Sequence, residues 1–170
     1  MGTTYSVKAT TFVYGSELKR KIDSLLVVIN DEVSTYIPSS TISRFNADTT
    51  GSVIDSSSIH FLSNLLLAEE IYELSEGYFD PSVMPLVNYW GFGYQGRKIS
   101  SIDSLKVDSI KNNIPANWTS YLKSVNSTME EDSMQLALDF SAIAKGYGVD
   151  QIALILESIG CNNYYVEIGG

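Results

Sequence analysis

Leu138-Asp139-Phe140-Ser141-Ala142-Ile143-Ala144-Lys145-Gly146-Tyr147-Gly148-Val149-Asp150 carries one periodicity into another within a few residues. Leading into it, Met134, Leu136, Leu138 and Phe140 alternate with Gln135, Ala137 and Asp139, the two-residue period of a strand. The residues after it predict a helix over 141–159, stopped at Gly160. Beyond the glycine, Tyr164, Val166 and Ile168 alternate as a final strand. A strand-to-helix junction exposes unpaired N–H groups and the positive end of the helix dipole, which suits an anionic ligand. Lys145 can add a full charge near that end. Gly146 and Gly148 each weaken a helix by about 1 kcal/mol relative to alanine. Such a cost invites a reason, such as close approach of a ligand or of another backbone. A purely structural reading is equally open: Asp139 caps the helix, Lys145 is solvated, and the glycines allow tight helix–sheet packing. The pattern matches neither a Walker nor a Rossmann glycine motif.

Working outward, residues 4–13 alternate with Tyr5, Val7, Ala9 and Thr11 on one side, which predicts an opening strand broken by Gly15. From Ser16, the residues Leu18, Ile22, Leu25, Leu26, Ile29 and Val33 form one helical stripe, with Pro38 ending the helix nearby. Residues 38–58 are rich in Ser, Thr, Asn, Asp and Gly and read as a loop. A second helix is predicted over 57–75. It would turn Ile59, Leu62, Leu65, Leu66 and Ile71 to the core, with Asp55 or Ser56 as cap and Gly77 as its left-handed stop. Asp80-Pro81-Ser82 looks like another helix start, with Asp80 as N-cap. The aromatics around it, Tyr78, Phe79, Tyr89, Trp90 and Phe92, suit either a flat-ring site or core and turn. A short helix is predicted over 101–114. Two strands, 121–126 and 134–140, would be joined by the acidic turn Glu130-Glu131-Asp132. The order β-α-α-(α)-β-β-α-β predicts an α+β fold, helices packed on a mainly antiparallel sheet.

With 170 residues, the chain reads as one domain with no internal repeat or linker. At that size it can bury roughly 70% of its unfolded surface. Twenty acidic against eleven basic residues, net −9, argue against broad contact with a phosphate backbone, hence against nucleic acid. A lone cysteine, Cys161, cannot form an internal disulfide, and a lone histidine, His60, cannot form a multi-histidine metal site. No apolar run approaches the roughly 18 residues that span a bilayer, and no signal peptide precedes Thr3.

Several short pieces, in order, resemble the ApbE flavin transferase family. They are Met1-Gly2-Thr3-Thr4-Tyr5, Ser34-Thr35-Tyr36, Ser43-Arg44-Phe45-Asn46, Gly77-Tyr78-Phe79-Asp80-Pro81-Ser82, Pro85-Leu86-Val87 and Trp90-Gly91-Phe92-Gly93. Leu138-Asp139, Ala144-Lys145-Gly146-Tyr147, Val149-Asp150 and Ile168-Gly169-Gly170 complete the set. The resemblance implies an Mg²⁺-dependent transfer of FMN from FAD to a threonine of an acceptor protein, with release of AMP. The alternatives are an FAD-binding module without turnover, a pyrophosphatase giving FMN and AMP, and a scavenging protein with vestigial motifs. It makes Met1, Tyr36, Tyr78, Phe79, Asp80, Asp139 and Lys145 the expected FAD contacts, and gives the backbone carbonyl of Ala142 to Mg²⁺. It also implies that residues 1–170 are the N-terminal part of a larger, T-fold-like ApbE domain. The carboxylate and threonine completing the metal site, and a catalytic histidine, are expected beyond Gly170. His60 lies outside every matching piece and reads as a surface or packing histidine, and nothing in the spacing of Asp103 or Asp150 asks for a metal. The implied location is periplasmic or otherwise extracytoplasmic, with lipid anchoring through a segment outside this chain.

Overall fold

The computed structural model describes residues 2–48, 56–94, 96, 101–120 and 136–169. The opening alternation becomes strand β1 (Tyr5–Ala9), shorter than 4–13, and it pairs antiparallel with the closing strand β2 (Tyr164–Ile168). Tyr5 stands opposite Ile168, Val7 opposite Val166 and Ala9 opposite Tyr164. These six share one half-buried face, while Ser6, Lys8 and Tyr165 on the other are exposed.

Helix α1 (Gly15–Val33) buries Leu18, Ile22, Ile29 and Val33 along the predicted stripe and ends ahead of Pro38. The segment 38–58, read as loop, contains a short helix, α2 (Thr41–Ala47). Ser40 caps it by accepting from the Ser43 N–H at 3.1 Å. Ile42 and Phe45 anchor it, three residues apart on one face, the first fully buried and the second packed on the core. The polar residues that suggested a loop are here a helix start.

Helix α3 (Ile59–Leu74) keeps part of its predicted face, with Leu62, Leu65 and Ile71 packed on the core. Phe61, Asn64 and Ala68 are buried, while Ile59 and Leu66 are exposed. A helix with apolar residues around much of its circumference offers no unique stripe, and packing selects the face. Its start is held from a distance: the Phe61 N–H donates to Glu32 Oε2 of α1 at 2.9 Å. Ser56 does not cap it, and Asp55 lies outside the described residues. Gly77 supplies the stop at φ +81°, its N–H donating back to the Tyr72 carbonyl. A single 3₁₀ turn (Pro81–Val83) then leads into α4 (Met84–Tyr89). Helix α5 (Ser104–Asn112) begins at the Asp103 cap, and α6 (Ala144–Ser158) follows a turn over 141–143.

The alternation over 136–140 holds in burial but not in pairing. Leu136, Leu138 and Phe140 are buried, yet among the described residues the sheet contains β1 and β2 alone. The partners of Leu138 and Asp139 are a side chain and a turn, described below. Strand 121–126 and the acidic turn fall outside the described residues.

Two clusters form the core. One gathers Ile29, Val33, Ile42, Phe61, Ala68, Trp118, Leu138 and Phe140, with the Phe61 ring 5.7 Å from Phe45 and 5.5 Å from Phe140. The other packs Leu18, Ile22, Ile152, Leu156 and Cys161 beneath the sheet. Helix α1 contributes to both. The class is α+β, as its element order predicts.

Tyr5 ties β1 to α1: its hydroxyl donates to Asp23 Oδ1 at 2.6 Å, and Lys19 Nζ reaches Asp23 Oδ2 at 2.6 Å. The Lys19 hydrogen bond, then that from Tyr5, holds the Asp23 carboxyl below its ordinary value of 3.8. A depressed carboxylate pKa stabilises the fold above the unfolded value and ceases to do so as pH falls through the folded one. The melting temperature of the native protein should therefore exceed that of Asp23→Asn by a small margin near neutrality. That margin should close below about pH 4. A margin that persists unchanged into acid would exclude this origin.

Candidate functional site

Asp80 and Asp139 open two turns built alike. Asp80 Oδ1 accepts from the Ser82 N–H at 2.8 Å and the Ser82 hydroxyl at 2.6 Å. Asp139 Oδ1 accepts from the Ser141 N–H at 2.8 Å and the Ser141 hydroxyl at 2.5 Å. Each carboxylate spends one oxygen on its own Asx turn. In both, Oδ2 has no hydrogen-bond partner among the described residues. One backbone bond joins the turns: the Asp139 N–H donates to the Pro81 carbonyl at 2.8 Å. Asp80 is thus the cap the sequence predicts, whereas Asp139 caps the turn over 141–143 and not α6, whose N-cap is Ile143 without a side-chain bond; the two Asp turns adjoin.

Lys145, in the first turn of α6, reaches back to the same place. Its ammonium donates to the Ser141 carbonyl at 3.2 Å. Its stem runs past the end of β2, where a Cβ built on Gly169 (φ +100°) would stand 3.2 Å from Lys145 Cδ and 3.8 Å from Thr3 Cγ2. A side chain at 169 would displace the lysine. The Gly169 N–H donates to the Thr4 carbonyl at 3.1 Å. Thr3, Gly169, Lys145 and the paired Asp turns are therefore linked in one neighbourhood. A recess of about 340 Å³ lies beside them, lined by residues including Thr3, Tyr5, Asn30 and Ile168. Asp80, Asp139 and Lys145 do not line it. Met1 and Gly170 lie outside the described residues.

The aromatic residues are divided rather than assembled into one lining. Phe79 packs on the first core cluster. Tyr89 and Trp90 form an edge-to-face pair 5.8 Å apart, and the Tyr89 hydroxyl accepts from the Asp103 N–H. Tyr78 is 95% exposed and Phe92 79% exposed. Tyr36, itself 65% exposed, donates through its hydroxyl to the Phe92 carbonyl at 3.2 Å, drawing two of the sequence pieces together.

Ala142 is exposed in the turn before α6. Its carbonyl is a hard oxygen donor of the kind Mg²⁺ takes. One carbonyl is not a site, however, and among the described residues no group of three or more His, Cys, Asp or Glu is placed to hold a metal. Gly148 is buried as tight packing requires, whereas a Cβ on Gly146 would meet open space. His60 Nδ1 lies 2.8 Å from the Tyr147 hydroxyl, joining α3 to α6 as a packing histidine. Three contributors escaped the sequence reading. Ser82 and Ser141 were visible in the repeated Asp-x-Ser spacing. Asn46, from α2, grips Leu138 across the fold, and no local signal marks that contact.

A small antiparallel sheet, packed helices and two conjoined Asp turns beside a lysine describe a scaffold with acceptors and a cation set side by side. The ApbE family's sequence profile matches residues 1–170, and the chain belongs to that family. It is 38% identical over 174 residues to the FAD:protein FMN transferase of Vibrio cholerae, an alignment taking in 100% of this chain and 51% of that protein. The Haemophilus influenzae protein of the same name is 32% identical over 188 residues, again with 100% and 51% covered. Among solved structures, the flavin transferase ApbE from Vibrio cholerae superposes with a TM-score of 0.82 at 33% identity, over 100% of this chain and 55% of that one. The Pseudomonas stutzeri flavinyl transferase ApbE gives 0.81 at 28% identity, over 100% and 56%. The chain spans about half the length of the curated relatives it matches.

Proposed function

We propose that residues 1–170 are the FAD-holding part of an FAD:protein FMN transferase. The observation that carries the reading is the junction of the Asp80 and Asp139 turns beside Lys145; the names of the relatives support it. In the proposed reaction, a threonine oxygen of an acceptor protein bonds to the FMN phosphorus. The bond from that phosphorus to the bridging pyrophosphate oxygen breaks, and AMP leaves. The proton of the threonine passes to a base outside the described residues.

Within that reaction, this chain binds and orients. Asp80 and Asp139 each offer Oδ2 to a hydroxyl or ring N–H of FAD, bonds strengthened by the carboxylate charge. Lys145 and the positive end of the α6 dipole offset the charge of the pyrophosphate. That local compensation lets an acidic protein take an anionic nucleotide. The exposed faces of Tyr36 and Tyr78 suit the flavin or adenine plane, and Phe79 and Met1 are further proposed contacts. Mg²⁺ is the proposed cofactor, supplying positive charge at the pyrophosphate; the Ala142 carbonyl is the ligand this chain would give it. We also propose a periplasmic or extracytoplasmic location, with lipid anchoring through a segment outside residues 1–170; the support is the family resemblance. No helix among the described residues is long and apolar enough to cross a membrane.

Incubating the complete protein with FAD, Mg²⁺ and a threonine-containing acceptor peptide should give FMN-bearing peptide and AMP. A peptide with alanine for the threonine should stay unlabelled. Neither product from the complete protein would overturn the transferase reading. A second reading, retention of FAD without transfer, draws on the metal site: the Ala142 carbonyl is the one ligand offered here, and among the described residues no group of three or more His, Cys, Asp or Glu is placed to hold a metal. FAD bound tightly but unchanged would favour it, and FMN and AMP without labelled peptide would favour a pyrophosphatase.

A further inference from the structure

Asn46 does for residues 136–140 what a neighbouring strand does in a sheet. The Leu138 N–H donates to Asn46 Oδ1 at 2.7 Å, and Asn46 Nδ2 donates to the Leu138 carbonyl at 2.8 Å. A primary amide carries one acceptor and donors on adjacent atoms, so it can satisfy both backbone groups of one residue as a ladder partner would. One position on, the Asp139 N–H is taken by the Pro81 carbonyl. Leu138 and Phe140 are fully buried, which pins the backbone on either side of Asp139. The placement of the Asp139 carboxylate relative to Asp80 is thus fixed from two directions, by Asn46 and by Pro81.

We propose that Asn46 is a positioning residue for the flavin nucleotide: by clamping Leu138 it holds Asp139 in register with Asp80. The inference rests on the reading of this site as an FAD site. Asn46 touches no ligand in this account; it acts through Asp139. Its loss should therefore matter only while Asp139 is present, whereas a residue that merely supports the fold would weaken binding with or without it.

The test is a double-mutant cycle in the complete protein, with FAD affinity measured for the native protein, Asn46→Ala, Asp139→Ala and the double variant. Asn46→Ala should weaken FAD binding by about tenfold. The double variant should bind no more weakly than Asp139→Ala alone. In turnover, KM for FAD should rise while kcat at saturating FAD stays within about twofold. Unchanged affinity in Asn46→Ala, or full additivity in the cycle, overturns the proposal. Should Asn46→Ala fail to fold, the same cycle is read with Asn46→Asp, which keeps the acceptor for the Leu138 N–H and removes the donor to its carbonyl. Failure of the native protein to bind FAD overturns the functional reading instead, and this inference with it.

Discussion

Replacing Asp139 with alanine should weaken FAD binding between about tenfold and a hundredfold, the range expected on losing hydrogen bonds to a charged group. Two losses combine. The Oδ2 acceptor disappears, and so does the Asx turn in which Oδ1 holds both the N–H and the hydroxyl of Ser141. Ser141 also supplies the carbonyl that Lys145 reaches, so the cation loses its anchor with the turn. The comparison that gives the result meaning is His60→Ala. That substitution leaves Tyr147 without its 2.8 Å partner and should lower stability modestly. FAD affinity should stay within about twofold, as for changes away from the bound ligand. Titration by quenching of flavin fluorescence measures both. Equal and negligible effects would remove Asp139 from the site.

Phe140→Ala should have the largest effect on stability, about 3–5 kcal/mol. Phe140 is fully buried, 5.5 Å from the Phe61 ring. Its carbonyl accepts from Ile143 and Ala144, starting the turn into α6. Truncation leaves a hole between α3 and that turn, in a cluster whose other walls are set by α1 and α2. In a domain of this size, the loss corresponds to a fall of about 8–15 °C in melting temperature. Denaturant unfolding would measure it directly. A loss under about 1 kcal/mol would mean that the cluster collapses to fill the space, contrary to the close packing expected of a protein interior.

Elements whose signals lie within a few residues were legible in the sequence. The first and last strands alternate, the α1 stripe keeps its period, Asp80-Pro81-Ser82 starts a turn of helix, and Gly77 stops one. Of the candidate site, the Asp-x-Ser turns at Asp80 and Asp139 were legible as local motifs, but their junction through the Asp139 N–H and the Pro81 carbonyl joins distant parts of the chain and was not. What escaped depends on contacts across the chain. The start of α3 is completed by Glu32 from another helix. The partner of residues 136–140 is the Asn46 side chain rather than a strand. Helix α3 has no single apolar face, so packing against Phe140 and Phe45 chose one. Helix α2 was hidden by a composition that serves loops and caps alike, and the scatter of the aromatics depends on contacts across the chain, such as that of Tyr36 with Phe92.

The pairing of Tyr5 with Ile168 has a consequence for how the protein is made. Within residues 1–170, about 155 residues separate the end of β1 at Ala9 from the start of its partner at Tyr164. On a ribosome adding about 5–20 residues per second, β1 waits roughly 8–30 s for β2. During that interval its edge is satisfied by water or by a chaperone, while local helices form around it. Sheet closure joins distant parts of the chain and comes late, after most of its entropic cost has been reduced by helix docking. A pairing made that late should act more on how slowly these residues open than on how quickly they assemble.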